Sequence, residues 1–111
     1  MKQKNRSSRR SLPRLVLHLV LTAHWYDETV RGAKRIEYRD ITEHWLKRIW
    51  ERRDKITHVR FSRGYTKTAQ TFRVRKIDLG RCPIPGWDGA YYRIHFLQND
   101  QLTDAVKGTQ P

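Results

Sequence analysis

Gly32-Ala33-Lys34-Arg35-Ile36-Glu37-Tyr38-Arg39 decides how the rest of the chain is read, because a helix-ending glycine is followed at once by strand alternation. Gly32 can close a preceding helix in the left-handed conformation. From Lys34 the backbone is expected to run extended, with Ile36 and Tyr38 on one face and Arg35, Glu37 and Arg39 on the other. The expected orientation is apolar side in and charge out. Glu37 and Arg39 then project from one face, and Lys34 at the preceding turn can reach over it, so a cation, an acceptor and a planar fork converge. Arg39 suits bidentate contact with phosphate, Lys34 supplies a mobile point charge, and Glu37 can orient either one or accept from a base's amino group. By spacing alone the same row also reads as an exposed ion-pair stripe that contributes little to stability.

Upstream, Leu15, Leu17, Leu19 and Leu21 alternate with Val16, His18 and Val20. Both faces of this segment are largely apolar, which predicts a central strand covered on both sides, with His18 as a core histidine. Thr22 is placed to cap a short helix carrying Trp25, Tyr26, Thr29 and Val30 on one side, and Gly32 ends it. Downstream, Trp45, Leu46, Ile49 and Trp50 predict an amphipathic helix over 42–52, with Glu43 set to pair with Lys47. Trp25, Trp45 and Trp50 all lie at helical core spacing, whereas Trp87 sits in a Pro/Gly loop without a partner face and is expected to be exposed.

From Lys55 the period becomes that of strands. Val59 and Phe61 share a face, and Arg63, Gly64, Tyr65, Thr66 and Lys67 read as the turn of a hairpin. Phe72 and Val74 keep one parity while Ile77 and Leu79 take the other, which a one-residue bulge near Lys76 reconciles. After the loop containing Pro83, Pro85, Gly86 and Gly89, the last strand alternates Tyr92, Ile94 and Phe96 with Tyr91, Arg93 and His95. The predicted core is Leu17, Leu19, Val59, Phe61, Phe72, Val74, Ile94 and Phe96. Early helices followed by late strands give an α+β domain, a small curled sheet or barrel with helices on it.

A chain of 111 residues suits one domain. Its 24 Lys+Arg against 11 Asp+Glu give a formal charge of +13, which attracts polyanions. The single cysteine, Cys82, has no partner within the chain for a disulfide, so a reducing, cytoplasmic setting is expected. Residues 2–14 are basic and precede the apolar run of the first strand, an order that mimics a signal peptide. The run is interrupted by His18 and is too short to span a bilayer, so no membrane association is expected. The expected organisation is a basic disordered arm over 1–14, a folded domain over 15–98 and a polar tail over 99–111. No pair of the five histidines has metal-ligand spacing with a carboxylate partner, so neither metal nor cofactor is expected.

Gly32, Lys34, Glu37 and Arg39 occupy all four defined positions of Gly-x-Lys-x-x-Glu-x-Arg, and the chain thereby resembles the ASCH domain family, a branch of the PUA-like folds. The apolar first strand, the Trp25 helix, the aromatic helix after Arg39 and the Phe61-Ser62-Arg63-Gly64-Tyr65 turn are similar too, from about Leu15 to Phe96. The resemblance implies a PUA-like β-barrel of five or six strands with two or three flanking helices. It also implies a cleft around the motif that binds RNA or nucleotides, with RNA the favoured partner. Arg63, Gly64 and Tyr65 add a cation, a permissive backbone and an aromatic ring suited to phosphate contact and base stacking; alternatively they form an ordinary turn with Gly64 at positive φ and Tyr65 packed on the sheet. Some members of the wider family are hydrolases, which makes a ribonuclease or an acetylcytidine amidohydrolase the alternative function, with Lys34 and Glu37 as catalytic residues. His95 and Tyr65 are further acid/base candidates. The deacetylating branch carries a threonine nucleophile where this chain has Glu37 and a glutamate in a later strand. This chain has no glutamate after Glu51, and Asp78 is the nearby strand carboxylate.

Overall fold

Strand parity and two threonine caps account for most of the architecture. The computed structural model describes residues 13–98, so the polar tail and all of the basic arm except Pro13 and Arg14 lie outside the described residues. In chain order the elements are β1 (Val16–Leu21), α1 (Ala23–Val30), β2 (Ile36–Arg39), α2 (Glu43–Arg48) with a 3-10 turn at Trp50–Arg52, β3 (His58–Arg63), β4 (Ala69–Arg81) and β5 (Ala90–Leu97). The strands form one mixed five-stranded sheet in the order β1-β3-β4-β5-β2, curled into a half-barrel. β1 runs parallel to β3, and the other pairs are antiparallel. None of the described helices is long and apolar enough to cross a membrane.

The core fills the concave side of the sheet. Phe61, Phe72 and Phe96 pack ring against ring at centroid distances of 5.1 to 5.8 Å, flanked by Leu17, Leu19, Val59 and Ile94, all buried. Of the expected core only Val74 is half-buried. The expected bulge is present: the β4–β5 register shifts between Val74 and Lys76, which returns Ile77 to the core side opposite Ile94. Leu79, further along the same strand, is exposed where the sheet outruns its core.

Two expectations are corrected. β1 is an edge strand and not a central one, with Leu17, Leu19 and Leu21 buried while His18 and Val20 are exposed. Its two apolar faces reflect β-branched valines, which fit a pleated surface whether or not that face is covered. His18 is therefore a surface residue. The helix predicted over 42–52 ends as an α-helix at Arg48, because Ile49 departs to φ −113°. The tighter turn that follows sends Ile49 fully into the core and lays Trp50 flat on Tyr92 at 5.5 Å, with the Arg53 guanidinium 4.0 Å from the Trp50 ring.

Candidate nucleic-acid interface

β2 pairs only with β5, and Glu37 lies opposite the fully buried Ile94, so its side chain enters the concave face and is 6% exposed. The expected orientation of this strand is thus reversed: Glu37 is its buried residue, and Ile36 and Tyr38 lie half-buried on the outer face. A carboxylate enters a core only when paired. Here Lys34 Nζ donates to one carboxylate oxygen and Arg39 Nη2 to the other, at 2.9 Å for Arg39. The three motif residues converge as their spacing predicts, but as an enclosed clamp and not as an exposed stripe.

Each cation of the clamp is backed by a tryptophan, and the chain places both tryptophans in the same way. Thr22-Ala23-His24-Trp25 and Thr42-Glu43-His44-Trp45 are two copies of Thr-x-His-Trp at helix starts. In each, the threonine hydroxyl accepts from the main-chain N–H of the tryptophan three residues on, and the histidine ring meets the tryptophan edge-on. Lys34 Nζ lies 5.9 Å from the Trp25 ring centroid and the Arg39 guanidinium 5.1 Å from that of Trp45. Core spacing alone assigns these tryptophans to packing. The repeated tetrapeptide is the signal that links them to the motif.

The open mouth of the half-barrel, between β1 and β2, holds a large groove of about 480 Å³, walled by His18, Val20, Arg39, Trp45, Arg48 and Tyr65. A second hollow of about 260 Å³ adjoins it, where Trp25, Glu37 and Trp87 face Arg39 and Trp45. Behind them a cavity of about 40 Å³ separates Lys34 and Glu37 from the Trp87 loop, room for a water molecule and not for a base. Arg39 is accordingly the motif residue that fronts the large groove. Gly64 has φ +58° and donates its N–H to the Leu21 carbonyl at 2.7 Å, which locks the hairpin turn against β1. Tyr65 at the tip is 95% exposed and does not pack on the sheet. Arg63 is committed elsewhere, with two hydrogen bonds to Asp27 of α1 at 3.1 and 3.2 Å, a pairing that also lowers the Asp27 pKa. Trp87, expected to lack a partner, rests against Tyr91 at 5.6 Å and borders the Glu37 hollow while staying 39% exposed.

The remaining acid/base candidates lie on the other side of the sheet. Tyr38, Arg93 and Asp78 stand in cross-strand register on the outer face, opposite in parity to Glu37 and Ile94. Arg93 holds Asp78 through two hydrogen bonds of 2.8 and 3.0 Å, and His95 Nε2 lies 3.1 Å from the same carboxylate. The Arg93 hydrogen bonds, joined by that of His95, hold the Asp78 carboxyl at a pKa of about 2. Neither Asp78 nor His95 therefore belongs to the Glu37 site. Among the described residues no group of three or more His, Cys, Asp or Glu could hold a metal ion. No family model, curated protein or solved structure matches the chain.

Proposed function

We propose that the protein is a nucleic-acid-binding module, with single-stranded RNA or a nucleotide as ligand, in which the mouth of a PUA-like, ASCH-type half-barrel receives the base and phosphate. The observation that carries this reading is the Arg39 guanidinium, set between the Glu37 carboxylate and the Trp45 ring in the wall of the mouth groove. Arg48 adds charge beside it and Tyr65 an exposed ring. Interleaved cations and aromatics are what backbone tracking and base stacking require. The formal charge of +13 favours approach of a polyanion. The cytoplasmic setting expected from an unpaired cysteine is compatible with an RNA ligand.

Binding is favoured over hydrolysis by the state of Glu37. Both of its oxygens already accept from cations and its side chain is buried, which suits it to fixing Lys34 and Arg39. Titration of the full chain with nucleotides and short oligoribonucleotides, followed by tryptophan fluorescence, tests the reading. Quenching that Arg39→Ala abolishes is the expected result. Saturable binding that ignores Arg39, or turnover of RNA that depends on Glu37, would replace this reading with another.

A further inference from the structure

A second groove, on the outer face of the sheet, is built from cations without carboxylates. About 340 Å³ of space lies between the entry to β2 and the end of β5, walled by Arg35, Arg75, His95 and Gln98. Arg35 and Arg75 are exposed, and neither guanidinium has an ion pair or hydrogen bond among the described residues. Charge left uncompensated on two guanidinium groups that line one groove invites an anion. The β-bulge between Val74 and Lys76 falls at Arg75, and a bulge re-aims the side chain it carries. Gln98, half-buried, lines the same groove and brings a neutral polar side chain to it.

Shared wall residues link this groove stepwise to the mouth, whose own walls include Val20, Arg39 and Trp45 of the adjoining 260 Å³ hollow. A trough of about 350 Å³, walled also by Lys34 and Glu28, shares Trp25 and Tyr38 with the 260 Å³ hollow beside the mouth, and Arg35 and Ile36 with the outer groove. We infer that the ligand is a single-stranded polynucleotide whose backbone leaves the mouth past Lys34, rounds the β2 edge and seats a phosphate between Arg35 and Arg75. This inference rests on the mouth being a nucleic-acid site and extends it from a nucleotide to a strand.

The test compares binding of a mononucleotide and of a single strand of about 12 nucleotides, a length within the usual range for such sites. The full chain is measured over a range of salt concentrations as wild type, as Arg35→Ala/Arg75→Ala and as Arg39→Ala. The double variant should bind the strand about tenfold or more weakly, with a salt slope lower by about 0.7, the contribution of the one phosphate seated between the two arginines. Its mononucleotide affinity should equal that of the wild type. Because both arginines are exposed, Arg35→Glu/Arg75→Glu should also fold and should weaken strand binding further. A double variant that binds the strand like wild type, with an unchanged slope, while Arg39→Ala is impaired overturns the inference and leaves the mouth reading standing. Equal loss for mononucleotide and strand overturns it as well, by denying the groove a separate role. A wild type that binds neither probe removes both readings.

Discussion

Arg39 Nη2 donates to the main-chain carbonyl of Val20 at 3.2 Å, and this one bond spans the gap between β2 and β1, the two end strands of the half-barrel. The same guanidinium pairs with buried Glu37 and faces Trp45, so the residue that fronts the groove also ties its two rims together. The frame of the half-barrel and the wall of the groove thus depend on the same side chain. A stripe of solvated ion pairs would show no such dependence.

Arg39→Ala should therefore lower stability as well as affinity. Removing one cation leaves a 6% exposed carboxylate with Lys34 alone, at a cost of about 1–3 kcal/mol. Glu37→Gln in the Arg39→Ala background should recover part of that loss by removing the uncompensated charge. Urea unfolding of the two single variants and the double variant measures the coupling; strictly additive effects would show that the pair is not buried.

Tyr65→Ala should behave in the opposite way. The ring is 95% exposed, so stability should stay within about 0.5 kcal/mol of wild type. If Tyr65 stacks on a base, affinity for an oligoribonucleotide should fall by about 1–3 kcal/mol. Unchanged affinity would remove the hairpin tip from the site.

Gly80→Ala should be destabilising through a side chain on the neighbouring strand. A Cβ at Gly80 collides with the Arg93 guanidinium, which would have to leave its two hydrogen bonds to Asp78. The expected cost is about 1–3 kcal/mol. In an Arg93→Ala background the same substitution should cost little, and that non-additivity, read in a double-mutant cycle, identifies the contact.

Acid stability should carry the signature of Asp78. Its carboxyl has a pKa of about 2 in the folded protein against an ordinary value of 3.8, so between these values the unfolded chain binds more protons and stability rises with pH. The Asp78 contribution is complete above about pH 4 and is lost as the pH falls toward 2. Asp78→Asn should flatten this limb of the stability–pH curve. A limb of unchanged steepness in the variant would assign acid sensitivity to other carboxyls.

The two helix starts predict a graded pair of cap substitutions. Thr42 Oγ1 accepts from Trp45 N at 3.2 Å, whereas Thr22 Oγ1 accepts from Trp25 N at 3.5 Å. Thr42→Ala should cost about 1 kcal/mol and Thr22→Ala less. Thermal unfolding orders the two, and a larger loss at Thr22 would contradict the geometry.

Much of this was determined locally and so was legible in the sequence. Thr22 as a cap, Gly32 at φ +93°, the hairpin at Gly64, the bulge near Lys76 and the phenylalanine core all follow from periods of 2 and 3.6 and from turn chemistry, which act within a few residues. Convergence of Lys34, Glu37 and Arg39 was legible for the same reason, since strand parity and a turn place them together. Other features depend on which segments meet, and only the tertiary structure decided them. β1 became an edge strand because β3 alone pairs with it, leaving its valine face uncovered. Glu37 became buried because β5 set Ile94 opposite it, a choice of face that the alternation of Ile36 and Tyr38 with charge could not make. Asp78 and His95 were separated from the motif by a sheet whose two sides differ by one residue of register, and the tryptophans at 25 and 45 met their cations only when the helices on either side of β2 folded back against that strand. A period fixes which side chains share a face, but the pairing of distant strands fixes which way that face points.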